Sequence, residues 1–188
     1  MRMRTPVSFI AVAAIALGAC GEEPPAKDPS SASAKESGGG GSFTCKGKAE
    51  VGQPASPFSM DSLNEAGKVS VEPGKVTLVD FWATWCGPCE KSFPKYQELY
   101  VKYKSSGLEI AAVSVDDEKK DIPAFVKKTS VKFPVGWSAD SKKIADCYTV
   151  PNMPTAYIID KKGVVRFVHN GFKDDETKKI EEEIKSLL

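Results

Sequence analysis

Val79-Asp80-Phe81-Trp82-Ala83-Thr84-Trp85-Cys86-Gly87-Pro88-Cys89 joins the end of an apolar run to two cysteines separated by two residues, and its reading decides the fold. Val76 to Phe81 has strand length, and a near-continuous apolar strand suits a sheet covered on both faces. Beyond the cysteines, Phe93, Tyr96, Tyr100 and Tyr103 recur at helical spacing, and Pro88 falls where a first helical turn tolerates proline. A strand therefore runs into a helix with Cys86 and Cys89 in its first turn. Two intervening residues wrapped in that turn bring the sulfurs within disulfide range. The helix start offers unpaired N–H groups and the positive end of its dipole to a thiolate on Cys86. Cys86 is the expected attacking sulfur, and Cys89, one turn deeper, the resolving one.

The stretch resembles thioredoxin almost residue for residue. Pro94, five after Cys89, stands where that family has a helix-kinking proline, and Met153-Pro154-Thr155 resembles its cis-proline loop. The segment from Val51-Gly52-Gln53-Pro54 to Phe58-Ser59-Met60, the Phe-Trp-Ala-Thr-Trp-Cys run and Phe133-Pro134-Val135 narrow the likeness. They resemble the TlpA/ResA branch, membrane-anchored thioredoxin-like proteins that work outside the cytoplasm. The likeness covers residues 50–188. It implies an α/β fold, a thioredoxin-like three-layer sandwich with a mixed central sheet flanked by helices and an N-terminal extension. It also implies thiol–disulfide oxidoreductase activity. By the same resemblance, Trp85 covers one side of the sulfur, and Gly87, Pro88, Met153, Pro154 and Thr155 meet the substrate chain. Asp80 matches the buried aspartate of thioredoxin and would accept or relay the Cys89 proton. Two departures stand out. Ser92 occupies a position where many members of the branch carry glutamate, and Ala111-Ala112 lies where thioredoxins often place a lysine beside the aspartate.

The rest of the domain fits an alternation of strands and helices. Leu108 to Val115 and Ala156 to Ile159 are apolar runs of strand length, and Lys161-Lys162-Gly163 signals a hairpin into Val164–Val168. Ile122 to Lys128 and Ser141 to Tyr148 suit short helices. A last helix is expected from Asp174-Asp175-Glu176, with Ile180, Ile184, Leu187 and Leu188 on one stripe. His169 is expected to be an ordinary strand or surface residue.

The 188 residues suffice for one ordinary domain with a sizeable core. A net charge of +1 gives no general pull toward nucleic acid, and a single histidine argues against a His-rich metal site or a Ser/His/Asp triad. Arg2 and Arg4 precede an apolar run from Pro6 to Leu17, too short for a stable membrane span, which needs ~20 residues. The run ends in Leu17-Gly18-Ala19-Cys20, which resembles a bacterial lipobox. Residues 1–19 are thus the expected signal peptide and Cys20 the expected lipidated N-terminus, with an incidental Cys20 after an ordinary secretory signal as the alternative. Removing residues 1–19 takes Arg2 and Arg4 away and leaves a net charge of −1. Residues 21–42 hold three Pro, five Gly and five Ser and no large apolar side chain, so they cannot offset their own ordering entropy. Residues 20–44 are expected to be a flexible tether, spanning ~25 Å as a coil, and residues 45–188 the thioredoxin-like domain.

With Cys20 lipidated, Cys45 and Cys147 remain. Spare cysteines in an oxidising compartment usually pair, so a structural disulfide is expected; two free thiols or a regulatory pair are the alternatives. C-x-x-C is also half of a zinc site, and the opening prolines suggest a peroxiredoxin. Yet the strand-to-helix context disfavours a zinc or copper module, and Thr84 lies two rather than three residues before Cys86. The expected protein is a lipid-anchored monomer without cofactor or metal. It reduces protein disulfides, draws electrons from a transmembrane thiol donor and, by resemblance, serves cytochrome c maturation. A disulfide-forming oxidase or isomerase on the same fold is the rival reading.

Overall fold

The computed structural model describes residues 41–65, 67–173 and 175–188. The expected signal peptide, Cys20, residues 20–40 of the tether and the Asp174 helix start lie outside them. Twelve strands and α-helices follow in order among the described residues. They are β1 (Ser42–Phe43), β2 (Phe58–Asp61), β3 (Lys68–Ser70), β4 (Val76–Trp82), α1 (Gly87–Tyr103), β5 (Leu108–Ser114), α2 (Ile122–Thr129), β6 (Val135–Gly136), α3 (Ser141–Tyr148), β7 (Thr155–Ile159), β8 (Val165–Asn170) and α4 (Glu176–Leu187). Five strands form one sheet in the order β6-β5-β4-β7-β8. β4, β5 and β6 run parallel, whereas β7 is antiparallel to both β4 and β8. This is a mixed sheet flanked by helices, the arrangement the resemblance implies.

β4 is the sheet's central strand, and all seven of its residues are buried. Successive side chains point to opposite faces, so Phe81 and Trp82 start two separate aromatic clusters. Trp82 packs on Phe93 at 4.7 Å and Phe125 at 4.6 Å, and Phe93 also meets Phe133 at 5.3 Å. Phe81 meets Tyr148 at 5.1 Å and Tyr157 at 6.0 Å on the other side. Such pairs add ~0.5–1.5 kcal/mol each beyond area burial, which anchors α1 to one face of β4 and the end of α3 to the other.

The β7–β8 turn forms because Asp160 caps it. Its Oδ1 accepts the N–H groups of Lys162 and Val164, its Oδ2 accepts Arg166 Nε–H at 2.6 Å, and Gly163 supplies φ +79°. α4 buries Ile180 and Ile184. His169 on β8 is buried, 5% exposed, with Nε2 2.6 Å from Glu183 Oε2 of α4.

A second, antiparallel sheet β1-β2-β3 has no counterpart among the expected strands. Its three members have two to four residues each, too short to show a periodicity. Met60 and Val69 from this sheet press on Gly136, where an added Cβ would stand 2.7 Å from Met60 Sδ. The same N-terminal region reaches both outer strands of the main sheet. Gly52 N–H donates to Val165 O, Val165 N–H donates to Gln53 O, and Pro54 bridges Val164 beside β8. At β6, Leu63 N–H donates to Val135 O and Ser62 bridges Gly136.

Candidate active site

Register places three chain segments at one end of the sheet. Trp82 pairs with Ser114 and Phe81 with Thr155, so the β4–α1 turn, the residues after β5 and the loop before β7 share that end. Cys86 caps α1 with extended φ, ψ of −87° and 102°, and its Sγ accepts Cys89 N–H at 3.2 Å. Cys86 and Cys89 are bonded, with S–S 2.03 Å and Cα–Cα 5.3 Å. Cys86 is 6% exposed and Cys89 fully buried, so a partner sulfur reaches Cys86 first. Trp85 projects beside them at 69% exposed, and Gly87 and Pro88 lie on the surface. The Met153–Pro154 bond is cis; Met153 is half-buried, whereas Pro154 and Thr155 are buried. Pro154 O accepts Gly171 N–H at 2.7 Å, and Thr155 Oγ1–H donates to Asn152 O at 2.7 Å, which ties the loop to β8 and to itself.

Asp80 sits mid-strand in β4, fully buried, and neither carboxyl oxygen has a hydrogen-bond partner among the described residues. Burial pushes its pKa well above the usual carboxylate range. The Tyr96 phenol, on the same α1 face as Cys89 and Phe93, is also pushed well up, by burial first and then by the Asp80 and Glu176 carboxylates. Ser92, at the position of the branch's glutamate, is buried and donates to Cys89 O at 3.1 Å. A hydroxyl there satisfies a backbone carbonyl and adds no titrating group.

Cys45 and Cys147 are also bonded, with Cα–Cα 5.9 Å across 102 positions. Cys147 Sγ lies 3.2 Å from Ser56 Oγ. Tyr157 OH donates to Tyr148 O at 2.5 Å and Tyr148 OH to Ser56 O at 2.8 Å, a relay joining β7, α3 and the N-terminal segment. Burial pushes the Tyr157 phenol up to about 12. Bonded in two pairs, the four thiols do not form a four-thiolate cage. Among the described residues no group of three or more His, Cys, Asp or Glu could hold a metal ion, and no helix is long and apolar enough to cross a membrane.

One site residue escaped the sequence reading. Asp116, just beyond β5, holds Thr84 by several hydrogen bonds, and its carbonyl accepts Trp137 Nε1–H at 2.7 Å. An Asp after a strand carries no local sign of such a partner 32 positions away.

Residues 51–168 match the AhpC/TSA family. The chain is 40% identical over 127 residues to a Bacillus cereus protein named thiol-disulfide oxidoreductase ResA, covering 66% of this chain and 72% of that one. It is 38% identical over 150 residues to the Bacillus thuringiensis subsp. konkukian protein of the same name, covering 78% and 84%. Among solved structures, a Chlorobium tepidum chain described as a thiol:disulfide interchange protein DsbE superposes with TM-score 0.69 at 31% identity, covering 74% of this chain and 99% of that one. StoA from Bacillus subtilis superposes with TM-score 0.58 at 25% identity, covering 70% and 97%.

Proposed function

Because the chain belongs to the AhpC/TSA family, in the thioredoxin-like branch with the proteins named ResA, we propose that this thiol–disulfide oxidoreductase works as a reductant of protein disulfides outside the cytoplasm. The observation that carries the reading is the Cys86–Cys89 pair at the start of α1, with Cys86 the less buried of the two, beside exposed Trp85, and Cys89 behind it.

In the reduced enzyme, Cys86 thiolate attacks a substrate disulfide. One substrate sulfur leaves as thiolate, and the other is held in a mixed disulfide with Cys86. Cys89 then attacks Cys86 Sγ, the second substrate thiol leaves, and two electrons have passed to the substrate. Asp80 accepts or relays the Cys89 proton, a role suited to a carboxyl whose pKa burial has raised. Trp85, Gly87 and Pro88 on one side and Met153, Pro154 and Thr155 on the other border the extended substrate chain, with the Met153 backbone pairing to it. Gly87-Pro88 between the cysteines supports reduction over oxidation, as in thioredoxin at about −270 mV rather than in strong oxidants near about −120 mV. Electrons come from a transmembrane thiol donor. The leader and Cys20 support attachment by lipid at a bacterial membrane, facing the periplasm or cell surface; a monomer acting in cytochrome c maturation is the reading that the resemblance to the ResA proteins supports.

Two measurements test this. The purified protein should reduce an insulin-like disulfide when given a dithiol and equilibrate well below about −180 mV; a value near about −120 mV would make it an oxidase. Cys89→Ser, expressed in its own membrane context, should trap substrates as mixed disulfides, and their identity names the pathway.

A further inference from the structure

We propose that Asp116 is a positioning residue for the redox reaction: its carboxylate grips Thr84 and thereby holds the Thr84-Trp85-Cys86 turn so that Cys86 Sγ stays at the N-terminus of α1. The inference rests on the reading of Cys86 as the attacking sulfur.

Asp116 is 8% exposed and follows β5 at the end of the sheet where α1 begins. Its Oδ1 accepts Thr84 Oγ1–H at 2.7 Å, and its Oδ2 accepts Thr84 N–H at 3.0 Å and Ser114 Oγ–H at 2.7 Å. Both the backbone and the side chain of Thr84 are therefore held by one carboxylate. Asp116 is itself fixed: its N–H donates to Ser114 Oγ at 3.1 Å, and Trp137 Nε1–H donates to its carbonyl at 2.7 Å. An ionised carboxylate accepts at both oxygens, and such charge-assisted bonds are stronger than neutral ones. An amide would turn an NH2 group toward one of these donors.

The geometry downstream depends on that grip. Two residues after Thr84, Cys86 N–H donates to Ala83 O at 3.1 Å and Cys86 Sγ accepts Cys89 N–H at 3.2 Å. Trp85, Gly87 and Pro88 are exposed, so the turn is held from the Thr84 side rather than by packing on its outer face. The benefit of the helix start to a thiolate falls off within the first turn. A turn allowed to drift would place Cys86 Sγ where those N–H groups no longer point at it.

The carboxylate's charge acts in the opposite sense. A negative group near Cys86 disfavours thiolate, and Asp117, Glu118, Lys120 and Asp121 line the same cleft with Thr84 and Trp85. Asp117 is paired with Lys142 and Glu118 with Lys120. Removing the Asp116 charge should lower the Cys86 pKa if charge were its only effect, and raise it if position dominates.

The test follows the pH dependence of Cys86 alkylation in the reduced full-length chain, as native protein, Asp116→Asn, Thr84→Val and Thr84→Ser. We expect Asp116→Asn and Thr84→Val to move the midpoint up by about half a pH unit or more, about threefold slower alkylation at a pH below the midpoint. Thr84→Ser, which keeps the hydroxyl, should recover the native midpoint. A lowered or unmoved midpoint in Asp116→Asn overturns the proposal, even if its melting temperature falls, because a merely structural tie would move only the latter. Should Asp116→Asn fail to fold, an unmoved midpoint in Thr84→Val overturns it instead. Native protein in which Cys89 reacts faster than Cys86 would overturn the assignment of the attacking sulfur, and with it the basis of the inference.

Discussion

Asp80 stands opposite Ala112 along one edge of β4 and opposite Ala156 along the other. The carboxyl thus has methyl groups for ladder neighbours and no cation beside it in either strand. An unfolded chain releases this proton near 3.8, whereas burial holds it in the fold to a much higher pH. Between those two values the folded state carries a proton that the unfolded state has lost, so stability falls as pH rises through the window. The slope contributed is up to about 1.4 kcal/mol per pH unit, and it vanishes below the unfolded value, where both states are protonated. Asp80→Asn should remove this component. Urea unfolding of the oxidised protein across pH 4 to 8 should show a shallower decline in the variant, and parallel profiles would contradict the assignment.

Division of labour between the two active-site sulfurs follows from their burial. In reduced protein at neutral pH, Cys86 should be alkylated faster than Cys89, which is fully buried behind it. Cys86→Ser should abolish both turnover and mixed disulfides, and Cys89→Ser should accumulate them. Peptide mass spectrometry after brief alkylation decides, and equal rates at both positions would count against the roles given.

The Cys45–Cys147 bridge closes a loop of 102 positions. In the chain-entropy model a loop of about 100 residues contributes up to about 4.7 kcal/mol. Replacing both cysteines by alanine should therefore lower urea stability by about 2–5 kcal/mol while leaving thiol–disulfide exchange turnover in place. The native digest should contain a Cys45–Cys147 cross-linked peptide that survives a reductant strong enough to open Cys86–Cys89. Free thiols at both positions in protein from its native compartment would sink this.

Phe93 sits at the centre of the aromatic cluster, touching Trp82, Phe125 and Phe133. Phe93→Ala should cost about 3–5 kcal/mol, whereas Val101→Ser on the 72% exposed outer face of α1 should stay within about 0.5 kcal/mol. Denaturant midpoints at constant slope separate the two; similar losses would mean that α1 is not fixed by its aromatic face.

What was legible in the residues is what local pattern encodes. β4 shows as a near-continuous apolar run, α1 as aromatic spacing after Pro88, and the β7–β8 hairpin as Lys161-Lys162-Gly163. Ser141–Tyr148 shows its helical period and forms α3 over the same residues. The small sheet is illegible because Ser42–Phe43 and Lys68–Ser70 are too short for an alternation of period two to repeat. Asp116 is invisible for a different reason: its partner lies 32 positions back, and nothing near Asp116 announces a carboxylate that is fully hydrogen-bonded. His169 likewise looks like any strand residue until α4 brings Glu183 against it.

The outermost strands of an open sheet are templates on which a neighbouring molecule can extend it. Here the chain occupies parts of both of its own margins, with residues 52–54 beside β8 and residues 62–63 beside β6. Pro54 has no N–H to offer an intruding strand, and Arg166 adds a charge on β8. The N-terminal segment of the domain thus acts as a guard against self-recruitment. Trimming the chain to start at Phe58 would strip the β8 guard and Cys45 together, and should make sedimentation more dependent on concentration than in the untrimmed protein.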